Sequence, residues 1–121
     1  MYKNILIVED EIIIATLLRK ILESEGYKIT GIVTSGEKAV DMVSDKDIDI
    51  DIVIMDIHLS GNIDGIEAAR RIKENKNIQI VFMTGYPDQE TKDLAFKTQP
   101  AGFFIKPLDI NNFIMFIKKL S

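Results

Sequence analysis

The chain has 121 residues, 46% of them hydrophobic and 28% charged, a balance that fits one folded domain and excludes a disordered segment. Fifteen basic against nineteen acidic residues leave a net charge of -4, which disfavours direct nucleic-acid binding. With no cysteine and one histidine, His58, disulfides, thiolate sites and multi-histidine metal sites are excluded.

In chain order, Ile5-Leu6-Ile7-Val8 is a strand-like run that stops at Glu9-Asp10. Ile14, Leu17, Leu18, Ile21 and Leu22 then take the i, i+3, i+4 spacing of a buried helical face, ended by Gly26. Residues 28–33 form a second strand, and Ser35 caps a helix packing Ala39, Val40 and Val43. Residues 50–57 are a third strand, whose Ile52-Val53-Ile54-Met55 suits a sheet covered on both sides. Residues 65–76 carry Ile66, Ala69 and Ile72 on one helical face, and residues 78–83 make a fourth strand. A weaker helix at 89–97 holds Leu94 and Ala95, residues 101–105 are a fifth strand, and Asp109 caps a last helix to residue 119.

Five strand-then-helix units joined by short connections imply a single α/β domain over 1–121: a flavodoxin-like five-stranded parallel sheet, (βα)5, with helices on both faces. Right-handed crossovers favour strand order 2-1-3-4-5. No apolar run approaches the roughly 20 residues that span a bilayer, and Met1 to Asn4 lack the regions of a signal peptide. No membrane association is expected, and the cytoplasm is the expected compartment.

Open α/β sheets bind ligands beyond the carboxyl ends of their strands, where strand order reverses. There the chain offers Glu9 and Asp10 after the first strand, Asp56 after the third, Thr84 after the fourth and Lys106 after the fifth. Carboxylates crowded together resist ionisation unless a cation intervenes. Mg²⁺ takes such oxygen ligands and keeps positions open for phosphate oxygens. Asp56, at the centre, suits a carboxylate nucleophile that becomes an acyl phosphate, with Lys106 and Thr84 contacting the phosphoryl oxygens. Each residue has a plainer reading: Asp10 as the first helix's N-cap, Asp56 as a strand-end acid, Thr84-Gly85 as turn chemistry, Lys106 as a solvated charge. Their joint placement at four strand ends favours the site.

Over its full length the sequence resembles the receiver domain of two-component response regulators. The resemblance rests on Ile5-Leu6-Ile7-Val8-Glu9-Asp10-Glu11, Ile52-Val53-Ile54-Met55-Asp56, Asp64-Gly65-Ile66-Glu67, Phe82-Met83-Thr84-Gly85 and Phe104-Ile105-Lys106-Pro107. It implies that Asp56 accepts a phosphoryl group from the phosphohistidine of a sensor histidine kinase or phosphotransfer protein. It also implies that Glu9, Asp10, Asp56 and the backbone carbonyl of His58 bind Mg²⁺, that Thr84 and Lys106 contact the phosphoryl group, and that Lys106-Pro107 is cis. Phosphorylation would draw Thr84 inward and let Phe103, the switch aromatic, turn, biasing the surface of fourth helix, fifth strand and fifth helix. The protein would not be an enzyme beyond Mg²⁺-dependent self-phosphorylation and autodephosphorylation.

Two places depart from the family pattern. The Met-Pro pair usual after the aspartate is replaced by the longer run His58-Leu59-Ser60-Gly61-Asn62-Ile63-Asp64-Gly65, and the switch position holds Phe103 rather than a tyrosine. His58 and Tyr86 stand where the family tunes hydrolysis, and their bulk is expected to restrict the attacking water. On the last helix, Ile110, Phe113, Ile117 and Leu120 suffice for a core stripe, so Ile114, Met115 and Phe116 are surplus and suggest a homodimer or partner interface. Ile12 and Ile13 are surplus on the first helix, where receivers meet kinases. Three rivals stay open. A phosphorylation-independent pseudo-receiver would have lost an acid or the lysine. A Mg²⁺-dependent phosphohydrolase would place an acid where His58 stands, and a flavodoxin-type cofactor binder would want a Ser/Thr/Gly-rich loop in place of Glu9-Asp10-Glu11.

Overall fold

The alternation of apolar strand runs with amphipathic stretches folds as five β-α units. A computed structural model describes residues 3–120; Met1, Tyr2 and Ser121 lie outside the described residues. The elements are β1 (Asn4–Val8), α1 (Ile12–Ser24), β2 (Lys28–Val33), α2 (Gly36–Ser44), β3 (Ile52–Asp56), α3 (Gly65–Asn75), β4 (Gln79–Thr84), α4 (Gln89–Lys97), β5 (Gly102–Ile105) and α5 (Ile110–Leu120). All strands pair in parallel, in the order β2-β1-β3-β4-β5 expected from the crossover rule.

Strand alternation sorts the core into two layers. Leu6, Val8, Val53, Met55, Ile80 and Phe82 point to the face covered by Ala39 and Val43 of α2, Ala68, Ala69 and Ile72 of α3, and Ala95 of α4. Ile5, Ile7, Ile52, Ile54, Val81 and Met83 point to the face covered by Ala15, Leu18 and Leu22 of α1 and by Phe113 and Ile117 of α5. Every residue of β3 is buried, which is why its run is continuously apolar up to Asp56. Each fully buried aliphatic side chain contributes about 1.5–3 kcal/mol, so the two layers dominate the stability of the scaffold.

Four helices start on a side-chain cap. Ser35 Oγ accepts from the Lys38 N–H at 3.2 Å, Asp64 from Glu67 at 2.8 Å, Asp88 from Thr91 at 3.2 Å and Asp109 from Asn112 at 3.2 Å. Helix α1 is different: its N-cap is Glu11, with no side-chain bond to the first turn. The plainer reading of Asp10 as that cap is therefore not what the structure shows.

Three sequence expectations about packing change. Leu17 is 54% exposed, because Ala15, Leu18 and Leu22 suffice to seat α1 on the sheet. Leu94 is exposed as well, leaving Ala95 as the buried residue of α4. On α5 only Met115 of the three surplus residues faces outward; Ile114 and Phe116 are partly buried against the core. Gly102 is the reason for Phe116: a side chain there would put Cβ 2.5 Å from the ring, so the glycine lets Phe116 lie on β5 and meet Phe104 edge-on at 5.2 Å.

Candidate phosphoacceptor site

The carboxyl ends of β1, β3, β4 and β5 bring together the residues that sequence reasoning singled out. Glu9 is fully buried one residue past β1, and its own N–H bonds the Val33 carbonyl of β2 at 3.0 Å. Asp56 ends β3 at 4% exposure, and Asp10 stands exposed at the rim. Carboxylate oxygens of Glu9, Asp10 and Asp56 lie within 4.8 Å of one another. Three oxygen donors at that spacing, with an open pocket of about 410 Å³ lined by Asp10, Glu11, Asp56, His58, Gly85, Tyr86 and Lys106, fit a hard divalent cation.

Lys106 supplies the positive charge that the buried acids need. Its Nζ donates to Glu9 Oε1 at 2.6 Å and to Asp56 Oδ2 at 3.0 Å, and its N–H bonds the Thr84 carbonyl at 2.8 Å. The Lys106–Pro107 peptide is cis, as the resemblance implied. Burial pushes Glu9 up to about 7, against the opposing hydrogen bonds from Lys106 and the Glu11 N–H. For Lys106 burial disfavours the charged form, but the bonds to Glu9 and Asp56 win and raise its pKa. Both shifts arise in one arrangement, two sequestered carboxylates around a single ammonium: burial dominates at Glu9 and the bonds to the acids dominate at Lys106.

The remaining residues edge the pocket. The His58 N–H donates to Asp56 Oδ1 at 3.3 Å, so the loop after β3 turns around the aspartate. Thr84 is buried and its Oγ1 accepts from the Tyr86 N–H at 3.0 Å, the turn role of its plainer reading, which leaves its own hydrogen to donate. His58 and Tyr86 meet edge-to-face at 5.2 Å, with Tyr86 70% exposed. Phe103 is half-buried against Phe96 of α4, the rings stacked at 5.5 Å. Ile12 and Ile13 are exposed on α1, and an apolar groove of about 230 Å³ beside them is lined by Ile14, Leu17, Leu18, Pro107 and Leu108 among others. What the sequence did not show is the Glu37 carboxylate of α2 bonding the backbone of Asn62 and Ile63. The glutamate was visible, but no spacing rule relates it to a loop 25 residues away.

This geometry, five parallel strands with an acid-lysine cluster at the order reversal, defines a phosphorylation-type pocket on a doubly wound sheet. The response regulator receiver domain family matches residues 5–118, and the chain belongs to that family. Sporulation initiation phosphotransferase F of Bacillus subtilis is 36% identical over 98% of this chain and 94% of its own length. The aerobic respiration control protein ArcA of Escherichia coli K12 is 35% identical over 88% of this chain, which spans only 43% of that relative. Among solved structures, the signal receiver domain of a modulated diguanylate cyclase from Desulfovibrio desulfuricans superimposes with a TM-score of 0.90 at 36% identity, covering 99% and 94% of the two chains. The response regulator TrrA of Thermotoga maritima, solved with Mg²⁺ and BeF, gives 0.85 at 32% identity over 98% and 99%. The chain is thus a receiver domain, and relatives such as ArcA are regulators rather than classical enzymes. No helix among the described residues is long and apolar enough to cross a membrane.

Proposed function

We propose that Asp56 is the residue phosphorylated, by the phosphohistidine of a sensor histidine kinase or phosphotransfer protein. One observation carries the reading: of the two acids that touch the Lys106 ammonium, Glu9 at 2.6 Å and Asp56 at 3.0 Å, only Asp56 lines the open pocket, Glu9 being wholly buried. A carboxylate oxygen of Asp56 attacks phosphorus, the P–N bond to the donor imidazole breaks, and the imidazole leaves after taking a proton from solvent. Lys106 then shifts from neutralising Asp56 to neutralising the phosphoryl oxygens, and the free hydrogen of Thr84 is at hand for another. Glu9, Asp10, Asp56 and the His58 carbonyl would hold Mg²⁺, which supplies charge neutralisation for the incoming phosphoryl group. The Mg²⁺–BeF complex of the relative TrrA supports this assignment.

The output is a population shift. An added dianion in the pocket favours the state in which Thr84 and Lys106 close on it, and the space vacated behind Thr84 lets Phe103 leave its stack with Phe96. The exposed Ile12, Ile13 and Leu17, with the groove ending at Pro107 beside the pocket mouth, suit a helical kinase or phosphotransfer domain. Met115 of α5 (58% exposed), with Ile105 of β5, suits a homodimer formed on phosphorylation. A histidine-kinase or phosphotransfer donor points to the cytoplasm as the compartment. Self-phosphorylation from small donors and slow autodephosphorylation complete the covalent chemistry. Incubation with acetyl phosphate and Mg²⁺ should add the mass of one phosphoryl group to the wild type and nothing to Asp56→Asn. An equal gain in the variant would refute the assignment.

A further inference from the structure

Residues 57–64 join β3 to α3 and carry His58, the residue whose carbonyl is proposed above as a Mg²⁺ ligand. The run has no proline, and residues 60–62 are exposed, so neither ring constraint nor burial orders its middle. Order comes from α2. Ser35 pairs with Ser60 in an isolated parallel bridge. Two residues on, Glu37 Oε2 accepts the Asn62 N–H and Oε1 the Ile63 N–H, each at 3.2 Å. At the base of the loop the Gly65 N–H bonds the Ile57 carbonyl at 2.8 Å. His58 therefore sits inside a closed loop tied at its ends and at its crown.

The clasp is built for an anion. Glu37 lies in the first turn of α2, where the helix dipole favours negative charge. The Asn62 N–H first, with the Ile63 N–H adding to it against a burial penalty, holds the Glu37 carboxyl below its ordinary pKa. Gly61 completes the fit: its φ of +111° suits glycine, and a Cβ there would stand 2.9 Å from Glu37 Oε2.

We infer that Glu37 is a positioning residue for the divalent-cation site, its carboxylate setting the path of residues 57–64 and so presenting the His58 carbonyl to the pocket shared with Asp10 and Asp56. The inference rests on reading the His58 carbonyl as a Mg²⁺ ligand. Partners that orient a ligand from behind are commonly worth about ten-fold or more in metal affinity, and one acting through a loop is expected at the lower end.

The test is calorimetric titration with Mg²⁺ alone, on wild type, Glu37→Ala, Glu37→Gln and Gly61→Ala, each checked for folding by circular dichroism. Amide exchange of Asn62 and Ile63 is followed by NMR in the metal-free proteins. Glu37→Ala should raise the Mg²⁺ Kd about 3- to 10-fold and speed exchange at both amides. Glu37→Gln, which keeps one acceptor oxygen, should fall between. Gly61→Ala alters no charge yet displaces the clasp, so it should raise the Kd in the same direction. Faster exchange with an unchanged Kd would overturn the proposal. So would a Kd that shifts in the Glu37 variants but not in Gly61→Ala, since the effect would then be long-range charge. A wild type that binds no Mg²⁺ at all would instead defeat the underlying metal assignment.

Discussion

Lys106 neutralises two carboxylates from a position where its side chain is only 16% exposed, and Glu9 on its far side is wholly buried. A lysine so placed is neither a solvated surface charge nor a surface ion pair, whose contribution would be small. In the role proposed for Lys106, losing the ammonium deprives the phosphoryl oxygens of a fixed cation, so Lys106→Ala should slow phosphorylation from acetyl phosphate by about 100-fold, read from intact mass against time. His58 and Tyr86 are in edge contact beside the pocket, and we propose that their bulk restricts the approach of a hydrolytic water. Tyr86→Ala should shorten the lifetime of the phosphorylated form several-fold, and loss of phosphate no faster than wild type would remove that role. Phe103 has no hydroxyl, so its place beside α4 rests on stacking with Phe96 and partial burial rather than on a side-chain hydrogen bond.

Among the elements, α3 carries the densest surface charge network. Glu67 accepts from Arg70 at 3.0 and 2.6 Å and from Arg71 at 2.7 Å, and Arg70 reaches on to Glu74. These bonds, Arg70 first, hold Glu67 down at about 2. A carboxyl depressed on folding leaves the unfolded chain binding more protons between the two pKa values, so stability rises with pH there. The contribution is complete above the unfolded value near 4.5 and fades as pH falls toward about 2. Urea midpoints measured down that range should fall less steeply for Glu67→Gln than for wild type, and added salt should shrink the difference because the network is exposed. On β5 the constraint is steric. Gly102→Ala drives Cβ into the Phe116 ring and should cost about 1–3 kcal/mol in the same assay.

At the scale of the molecule, two apolar layers hold four strand ends in register, and the pocket is a by-product of that registry. Phe113 is fully buried, packed against Phe104 at 5.2 Å, and anchors α5 over the face opposite α3. Phe113→Ala should cost about 3–5 kcal/mol and lower the thermal midpoint while leaving the acidic cluster intact. Assembly is a separate property, and with Ile114 and Phe116 turned to the core the outward apolar surface of α5 narrows to Met115. Sedimentation of the untreated and beryllofluoride-treated protein should show association only after treatment; a monomer in both would remove self-association through α5.

Strand and helix placement was legible because period-2 and 3.6 patterns are local properties of the chain, and all ten elements fall where those patterns place them. The reactive cluster was legible for a related reason: in a parallel sheet the residues after each strand must meet at one edge, so Glu9, Asp10, Asp56, Thr84 and Lys106 could be assembled from strand ends alone. Surplus hydrophobicity was misleading on α5, since the room for Phe116 is made by Gly102 on another element. Leu17 misled too: the helical spacing puts it beside Leu18, yet Ala15, Leu18 and Leu22 are the residues of α1 that the fold buries. Only the folded chain decided that Lys106 is shared between Glu9 and Asp56 and that Glu37 holds the loop beyond β3. Periodicity reports which face of an element is buried; which side chain reaches which neighbour depends on distances set by packing between elements, and no spacing along one segment encodes those.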